Sequence, residues 1–515
     1  MIYRDTIAAI STGMSASGIG IVRISGGKAF DVINRIYHGK DQLSEAESHT
    51  IHYGFIKDEG EMIDQVLVSV MRSPRTFTGE DTVEINCHGG IFVVKKVLEI
   101  VLKSGARLAE PGEFTKRAFL NGRMDLSQAE AVIDVINSQN EYALKSSVGQ
   151  LRGSIKNAVN KIREKIIYHT AFIESALDDP EHISIEGYGE KLDLVLTEVI
   201  QEMDKLIRSY DSGRIIKEGI QTVILGKPNV GKSSLLNILS GRERAIVTDI
   251  EGTTRDILEE QVQIHGLNLN VIDTAGIRDT SDRIEKIGVD KAKEYADLAD
   301  LIIYVVDASR ELDENDIHIA ELIYGKRCII LLNKSDLSTV ISKEDVKNFL
   351  RNVFFDVEKK IDQERDVYKD DIENVKNRNE IADEYVDITA DMHVDNYVDK
   401  KDYVYYMVEQ IPLIDISVKM EQGIQKFGSV LQKMFFEGTI SSNEEIHITN
   451  LRQKEALTSA YASLKRVQES IRDQMPEDFY SIDLMDAYES LGSITGETIG
   501  EDLVNEIFSK FCMGK

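Results

Sequence analysis

The stretch Gly226-Lys227-Pro228-Asn229-Val230-Gly231-Lys232-Ser233-Ser234 decides the fold of this chain. It follows an apolar run, Gln221 to Leu225, and precedes a second one, Leu235 to Leu239, which predicts a strand, a loop and a helix. Glycines let backbone N–H groups curl around phosphate oxygens, a lysine reaches the terminal phosphates, and a hydroxyl ligates magnesium. The spacing of Gly226, Gly231, Lys232 and Ser233 therefore predicts a phosphate-binding loop.

Four further segments stand in the order expected of GTPase motifs. Asp273-Thr274-Ala275-Gly276 ends an apolar strand, where an aspartate can reach magnesium through water and a glycine N–H can meet the γ-phosphate. Asn333-Lys334-Ser335-Asp336 follows another strand and carries groups that read the guanine edge, which selects GTP over ATP. The others are a turn for the guanine carbonyl, Ser417-Val418-Lys419, and a switch segment, Gly252 to Asp256. Five ordered motifs predict a GTPase.

Composition limits the partners and the location of the chain. Its 61 basic and 89 acidic residues give a net charge of −28, which argues against broad nucleic-acid binding, so any nucleic acid must be held locally. Cys87, Cys328 and Cys512 are too scattered for a disulfide framework or a zinc site. No run approaches the roughly 18 to 20 apolar residues of a membrane helix, and the start lacks a signal-peptide core. We expect a cytoplasmic protein with no membrane contact.

The first 120 or so residues predict an α+β domain. Short runs rich in Val, Ile and Tyr alternate with turns, as in half-buried strands. The predicted strands are Asp5 to Ile10, Ile19 to Ile24, His52 to Ile56, Val66 to Met71 and Thr82 to Asn86, and the predicted helices are Ala29 to Ile36 and Phe92 to Ser104.

From Leu126 the apolar residues take up a helical period, with a possible capping box over Ser127 to Glu130. The same character returns near the carboxyl end, where Leu457, Ala460 and Leu464 continue the rhythm. Neither half alone encloses a complete core, so we infer that the two halves form one discontinuous helical domain around the nucleotide domain.

Alternating strand and helix patterns between these halves predict a doubly wound α/β unit. Its predicted strands are Thr222 to Leu225, Leu269 to Ile272, Leu301 to Val306, Cys328 to Leu332 and Leu413 to Ile416. The segment from about Glu344 to Asp402 is polar and acidic, which favours a solvated or partly disordered insertion.

One position departs from Ras-like GTPases. Ile277 follows Gly276 where those enzymes place the glutamine that orients water, so another group must position the nucleophile. Taken alone, a surface carboxylate such as Glu285 would be a solvated helix residue.

Four segments outside the GTPase motifs extend the comparison over essentially the whole length, and on them the chain resembles the MnmE (TrmE) tRNA-modification GTPases. They are Gly20-Ile21-Val22-Arg23-Ile24-Ser25-Gly26, Phe77-Thr78-Gly79-Glu80-Asp81-Thr82-Val83-Glu84, Pro111 to Arg123, and the terminal Phe511-Cys512-Met513-Gly514-Lys515.

The resemblance implies that the first domain binds a 5-formyltetrahydrofolate-type one-carbon donor. Arg23, Glu84, Arg123 and Lys515 stand at the matching positions. Basic groups can pair with the carboxylates of a folate tail, and one carboxylate can read the pterin edge. Without this context, Arg23 and Arg123 could equally be surface ion-pair residues. The family also implies that Cys512 lies near the folate and is needed for modification.

The resemblance further implies activation by potassium when two GTPase domains meet. Asn229 matches the K⁺-binding asparagine, and Thr248, Ile250 and Thr253 match the further oxygen donors. Such a cation stabilises charge that develops on the phosphates. Glu285 matches the glutamate that positions water, Lys232 is the catalytic lysine, and Ser233 and Thr254 would hold Mg²⁺.

The complete set of residues expected to contact GTP combines these motifs. They are Asn229, Val230, Gly231, Lys232, Ser233, Ser234, Thr248, Asp249, Ile250, Glu251, Gly252, Thr253, Thr254, Asp273, Thr274, Ala275, Gly276, Asn333, Lys334, Asp336, Ser417, Val418 and Lys419. The family usually has a short connection between its last two motifs, whereas 80 residues separate Asp336 from Ser417 here.

The predicted fold is multidomain α/β and α+β. The segments are an α+β folate-binding and dimerisation domain (1–120), two parts of the helical domain (121–215 and 441–515), and an inserted Ras-like P-loop GTPase domain (216–440) that contains the acidic insertion at about 344–402.

The resemblance implies a homodimer that acts on tRNA with an FAD-dependent partner of the MnmG type. The pair would install a (carboxymethyl)aminomethyl-type group at the 5 position of the wobble uridine. One alternative is a regulatory GTPase of ribosome assembly, which predicts an RNA-binding module such as a KH domain, and no GXXG-type signal stands out after the GTPase. A second alternative is a folate-dependent aminomethyl transferase with a decorative GTPase, against which the complete motif set argues.

Overall fold

The computed structural model describes residues 5–242, 259–272, 293–372, 400–436, 446–498, 500–512 and 514. The chain divides into two compact units, one formed by Met1–Gly213 with Ile446–Lys515 and the other by Arg214–Glu445. Among the described residues, no helix combines the length and the apolar character that crossing a membrane requires.

The first unit contains a seven-stranded sheet in the order β3-β4-β5-β6-β2-β1-β7, in which only the β1–β7 pair is parallel. All five predicted strands are present within it. The strands are β1 (Ile7–Ile10), β2 (Ile19–Ser25), β3 (Tyr37–Gly39), β4 (Thr50–Asp58), β5 (Glu61–Met71), β6 (Thr82–His88) and β7 (Arg107–Leu108). Strands β3 and β7 were not predicted, because three and two residues are too few to show an alternating pattern.

One face of this sheet packs on a large apolar core, whereas the other face is covered by Phe114 only around Ile7 and Ala9 and exposes side chains elsewhere. Alternate residues such as Val22, Val68 and Ile85 are buried in a core that includes residues of the helices Ala29–Asn34 and Ile91–Lys103. The residues between them on each strand lie on the opposite face, which carries Arg23 and Glu84. The sheet therefore presents its candidate binding residues on the face away from this core.

The long helices Ser154–Asp178, Tyr188–Glu218, Leu451–Arg472 and Asp478–Thr495 share one apolar core, and Leu126, Ala129, Val504 and Phe508 form a separate smaller cluster. The shared core includes Ile162 and Leu196 from before the GTPase segment, and Leu464 and Leu484 from after it. The described helices are Glu113–Leu120, Leu126–Asn137, Glu141–Leu151, Ser154–Asp178, Tyr188–Glu218, Leu451–Arg472, Asp478–Thr495 and Glu501–Ser509. The two parts of the chain therefore bury their apolar stripes against each other.

The capping box of the helix Leu126–Asn137 lies two residues earlier than predicted. The Asp125 carboxylate accepts a hydrogen bond from the backbone N–H of Gln128 (3.0 Å), and the Gln128 side chain accepts one from the backbone N–H of Asp125 (3.1 Å). Glu130, which the prediction placed in the box, instead accepts hydrogen bonds from Arg452 and Gln453. The prediction over Ser127 to Glu130 is wrong because Asp125 is the residue that precedes the first helical turn.

The second unit contains a six-stranded sheet in the order β13-β12-β11-β8-β10-β9. Neighbouring strands are parallel except in the β9–β10 hairpin. The strands are β8 (Ile220–Leu225), β9 (Glu259–Ile264), β10 (Leu267–Ile272), β11 (Leu301–Asp307), β12 (Cys328–Asn333) and β13 (Leu413–Asp415). The five predicted strands are present. Strand β9 was not predicted, because it consists mainly of glutamate and glutamine and its apolar alternation is therefore weak.

Helices accompany this sheet. They include Lys232–Arg242, Glu314–Ile323, Lys343–Ile372, Lys400–Gln410 and Ile424–Phe436. Strand β8 lies between β10 and β11, so the loop that follows it opens at the carboxyl edge of the parallel strands. Ligands of open α/β sheets bind at this edge.

The acidic segment is more ordered than the sequence predicts. Val346, Leu350 and Phe354 on the helix Lys343–Ile372 are buried in the core of the second unit, together with Val404 and Val408 on the helix Lys400–Gln410. The expectation of a solvated or partly disordered insertion at about 344–402 is wrong for Val346 to Phe354, because these apolar residues four apart form a buried stripe behind an acidic face. The rest of the segment, 373–399, lies outside the described residues.

Replacement of Phe354 by alanine tests this packing. Phe354 is 1% exposed, so we expect the change to lower the free energy of unfolding of the second unit by about 3–5 kcal/mol. Hydrogen–deuterium exchange in peptides of β11 and β12 measures the loss. The matched control is Phe355→Ala, since Phe355 is only half-buried. Equal, small effects of both changes would contradict the packing.

Candidate functional site

The phosphate loop of the second unit joins β8 to the helix Lys232–Arg242. Gly231 has a φ of 108°, and a Cβ placed there would lie 2.3 Å from Nδ2 of Asn333. Only glycine fits this left-handed and crowded position. Asn229 has a φ of 61° and an exposed side chain, while Val230 is buried beneath the loop. The loop backbone therefore turns sharply at Asn229 and Gly231.

The side chain of Lys232 lies against this loop. Its Nζ donates hydrogen bonds to the backbone carbonyl oxygens of Gly226 (2.6 Å) and Lys227 (2.7 Å). The following residues Ser233 and Ser234 are exposed at the start of the helix. An ammonium, a hydroxyl and the N–H groups of a helix start thus converge where an anionic phosphate binds most favourably.

Asn333 connects the phosphate loop to the segment after β13. Its Nδ2 donates to the carbonyl oxygen of Val230 (2.6 Å), and its Oδ1 accepts from the backbone N–H of Val418 (3.0 Å). Asn333 is buried, so both of its amide groups need these partners. The structure therefore brings three of the predicted GTP motifs together.

Asp336 is held beside the same segment. Its Oδ1 accepts a hydrogen bond of 2.6 Å from the hydroxyl of Ser417, and this bond lowers the pKa of Asp336, with smaller effects from the charges of Lys419 and Lys334. The carboxylate is exposed and remains ionised at neutral pH. An exposed, oriented carboxylate can accept two N–H groups of a guanine edge.

Lys334 is positioned by a residue that the sequence analysis did not select. Its Nζ lies 2.6 Å from Oδ2 of Asp307, the last residue of β11, and the N–H and hydroxyl of Ser309 hydrogen-bond to the other carboxylate oxygen. The signal was available, because an aspartate that ends an apolar parallel strand lies at the ligand-binding edge of the sheet.

The remaining predicted nucleotide residues lie outside the described part of the chain. These are the segment Thr248, Asp249, Ile250, Glu251, Gly252, Thr253 and Thr254, the segment Asp273, Thr274, Ala275 and Gly276, and Glu285.

In the first unit, Arg23 on β2 and Glu84 on β6 are paired residues of adjacent strands. The Arg23 guanidinium contacts Oε1 of Glu84 at 2.8 Å and lies 5.5 and 5.6 Å from the ring centroids of Phe77 and Phe114. Within the described residues, Nη1 of Arg23 is buried and has no hydrogen-bond partner. A buried guanidinium N–H without a partner is costly unless a ligand accepts its hydrogen bond.

Arg123 lies close to the same feature. Its Nε donates to the backbone carbonyl oxygen of Thr76 (3.0 Å), the neighbour of Phe77, and the side chain is exposed. Arg23, Glu84 and Arg123 are therefore linked through the segment Thr76–Phe77. We call this arrangement the arginine site.

The carboxyl-terminal tail is anchored to the end of β1. The hydroxyl of Ser11 donates to the carbonyl oxygen of Gly514 (3.0 Å), and the N–H of Gly112 donates to that of Cys512 (3.3 Å). Cys512 is an exposed free thiol. Lys515 lies outside the described residues. Ala9, two residues before Ser11, pairs with Arg23 on β2, so the anchored residue Gly514 lies near the arginine site.

A buried ion cluster underlies this arrangement. Arg117, with no exposed side-chain surface, contacts Asp5 and Glu113 at 2.9 Å and Glu80 at 3.3 Å. Burial acts to raise the pKa of Glu113, but hydrogen bonds from Arg107, the N–H of Glu110 and Arg117 outweigh it, so the pKa is lowered. These ion pairs thus hold the helix Glu113–Leu120, which directly precedes the segment that carries Arg123.

A parallel sheet with a G-x-x-x-x-G-K-S loop after its internal strand defines a P-loop nucleotide-binding protein. Two family models match the chain: "MnmE helical domain" over residues 126–512, and "GTP-binding protein TrmE N-terminus" over residues 6–123.

Proteins called "tRNA modification GTPase MnmE" match the full length. The protein of Lachnoclostridium phytofermentans is 52% identical over 514 residues, covering 99% of both chains. The proteins of Acetivibrio thermocellus and Clostridioides difficile are 45% and 42% identical, covering 100% of both chains. The chain belongs to the MnmE family of tRNA modification GTPases. The predicted family and the prediction of a GTPase are confirmed.

Replacement of Gly514 by alanine tests the anchoring of the tail. Gly514 has a φ of 87°, and a Cβ there would lie 2.1 Å from the carbonyl oxygen of Ile10, so we expect the tail to detach. Carboxypeptidase digestion should then proceed faster than in the parent protein. Gly500→Ala is the control, because no heavy atom lies within 4 Å of a Cβ at Gly500. Equal digestion rates for all three proteins would contradict the anchoring.

Proposed function

We propose that this GTPase, with an FAD-dependent partner of the MnmG type, installs a (carboxymethyl)aminomethyl-type group at the 5 position of the wobble uridine of certain tRNAs. The observation that supports this most is the full-length similarity to tRNA modification GTPases. The hydrogen bonds by which Asn333 joins the phosphate loop to Val418 add to this support. The proposal places the protein in the cytoplasm, where fractionation can test it.

The GTP site in this proposal uses each motif for one part of the nucleotide. The loop N–H groups and Lys232 would bind the phosphates, while Asn333, Asp336 and the segment Ser417 to Lys419 would read guanine. Ser233 and Thr254 would hold Mg²⁺, which neutralises phosphate charge when bound. The exposed hydroxyl of Ser233 at the start of its helix fits this role.

A potassium ion is proposed beside the phosphates, held by Asn229, Thr248, Ile250 and Thr253. The exposed side chain and left-handed backbone of Asn229 at the loop rim support its part. Glu285 is proposed to position water. Equal hydrolysis rates in potassium and sodium would exclude this cation, and normal hydrolysis by Glu285→Ala would exclude Glu285.

The arginine site is proposed to bind the folate. Nη1 of Arg23 offers a buried donor, Glu84 offers carboxylate oxygens, and Arg123 offers an exposed cation. The aromatic rings of Phe77 and Phe114 beside Arg23 make the site chemically suitable for a flat, partly anionic molecule. Lys515 and Cys512 would complete the site from the tail.

A homodimer is also proposed, and the exposed apolar part of the first sheet, on the face opposite its main core, supports it. Tyr53 on β4 pairs with Leu67 on β5, and Ile51 and Ile19 lie on the same face. These four apolar side chains are 48–66% exposed. Contiguous exposed apolar surface commonly marks a protein interface. A monomer at micromolar concentration in analytical ultracentrifugation would contradict the homodimer.

Analysis of tRNA nucleosides tests the reaction. Deletion of the gene should remove the wobble modification, and a Lys232→Ala copy should fail to restore it, because loss of the lysine removes phosphate binding. Mass spectrometry of digested tRNA measures the outcome. A Lys360→Ala copy, changed at an exposed surface residue, is the control and should restore it. Normal wobble uridines after deletion would contradict the proposed modification.

Calorimetry with 5-formyltetrahydrofolate tests the arginine site. Arg23→Ala removes a charge-assisted donor worth about 1.5–3 kcal/mol, so we expect the affinity to fall about 10- to 100-fold. Arg35→Ala, at a guanidinium bonded to the carbonyl oxygen of Ser104, is the matched control. Unchanged affinity of Arg23→Ala would remove Arg23 from the folate site.

A further inference from the structure

The side chain of Lys227, the second residue of the phosphate loop, contacts two aspartates outside the loop. Its Nζ lies 2.7 Å from Oδ2 of Asp316 and 2.9 Å from Oδ2 of Asp313. Both aspartates belong to the start of the helix Glu314–Ile323, where Asp313 is the N-cap. An ion pair therefore ties the loop to a helix that contains none of the GTP motifs.

Asp316 is the rigid partner in this pair. It is 1% exposed, its Oδ1 accepts a hydrogen bond of 2.6 Å from the hydroxyl of buried Tyr304, and its Oδ2 also accepts from the backbone N–H of Asp313 (2.8 Å). Asp313, by contrast, has half of its side chain exposed. A buried carboxylate held from two sides keeps a fixed position, whereas an exposed one does not.

The backbone of Lys227 points the other way. Its carbonyl oxygen, with that of Gly226, accepts the hydrogen bonds of the Lys232 ammonium. One residue thus joins the phosphate-binding lysine to a buried anchor. The order of contacts is Tyr304, Asp316, the side chain of Lys227, its carbonyl oxygen and Lys232.

We propose that Asp316 is a positioning residue for the nucleotide: through Lys227 it holds the loop backbone and the Lys232 ammonium in the geometry that receives the phosphates. The inference rests on the proposed nucleotide site and adds a residue to it. A preformed loop loses less conformational entropy when the phosphates bind.

Lys227 is charged at neutral pH. Burial acts to lower the pKa of Lys227, but the hydrogen bonds and charges of Asp316 and Asp313 outweigh it, so the pKa is raised. Lys227 therefore stays protonated under the conditions of a binding assay.

Binding of a fluorescent GDP analogue to the full-length protein tests this inference. We expect Asp316→Asn and Lys227→Ala each to weaken binding about tenfold, because the first leaves Lys227 with only the exposed carboxylate of Asp313 and the second leaves the buried Asp316 carboxylate without its ammonium partner. The double variant should be no weaker than the worse single variant, since Lys227→Ala already removes the contact that Asp316→Asn weakens. Lys227→Arg, which keeps the charge, should retain most of the affinity.

One control and one further variant separate positioning from stability. Glu321→Gln neutralises another lysine-paired carboxylate on the same helix, but one that contacts Lys360 rather than the loop, and it should bind as tightly as the parent. Tyr304→Phe removes the hydroxyl that holds Asp316 and should weaken binding while preserving the ring. Thermal unfolding confirms that each variant is folded at the assay temperature.

The outcomes distinguish this inference from the proposed nucleotide site. Tight binding by the folded Asp316→Asn and Lys227→Ala variants would overturn the positioning role and leave the site intact. Additive losses in the double variant would also overturn it, because the two residues would then act separately. Failure of the parent protein to bind GDP would overturn the nucleotide site itself, and the inference with it.

Discussion

The side-chain amide of Asn333 is the contact on which the nucleotide unit depends. It joins the ends of three strands. Asn333 is the last residue of β12, its Nδ2 donates a hydrogen bond to the loop after β8, and its Oδ1 accepts one from the segment after β13. Burial leaves no water to replace either bond, so both neighbouring segments must stay in place. Parallel pairing brings the carboxyl ends of these strands to one edge and makes the contact possible.

The first unit depends on a comparable constraint, the burial of Arg117. Its guanidinium has no exposed surface and is compensated by carboxylates from three separate segments: the chain start, the turn after Phe77 and its own helix. A buried charge is tolerated only when it is paired in this way. The cluster thereby fixes the segments that carry Arg123 and Phe77, on which the arginine site is built. The proposed folate site thus depends on ion pairs of Arg117 with Asp5, Glu80 and Glu113, none of which is itself a proposed folate residue.

Much of the fold could be predicted from the sequence, because the strongest patterns are local. Five strands of each sheet and the helical periods follow from apolar runs of sufficient length. Strands β3, β7 and β9 were not predicted, because they are short or carry glutamate. Each of them becomes a strand by pairing with a neighbouring strand rather than through a pattern in its own residues. The helix Lys343–Ile372 was misjudged for a related reason, because average acidity hid Val346, Leu350 and Phe354 on one face.

By itself, the sequence determined the residues whose chemistry depends on spacing along the chain. The loop from Gly226 to Ser233 and the segment from Asn333 to Asp336 each need only a few neighbouring residues, and they identified a GTPase.

The tertiary structure alone decided which distant side chains these residues contact. Asp316 meets Lys227, Asp307 meets Lys334, and Gly514 meets Ser11 across 503 residues of chain. No local pattern encodes such contacts, because the topology of the sheets decides which distant side chains become neighbours. The phosphate loop is therefore recognisable from nine consecutive residues. The aspartates that pair with its Lys227, however, lie at the start of a helix some 80 to 90 residues further along the chain.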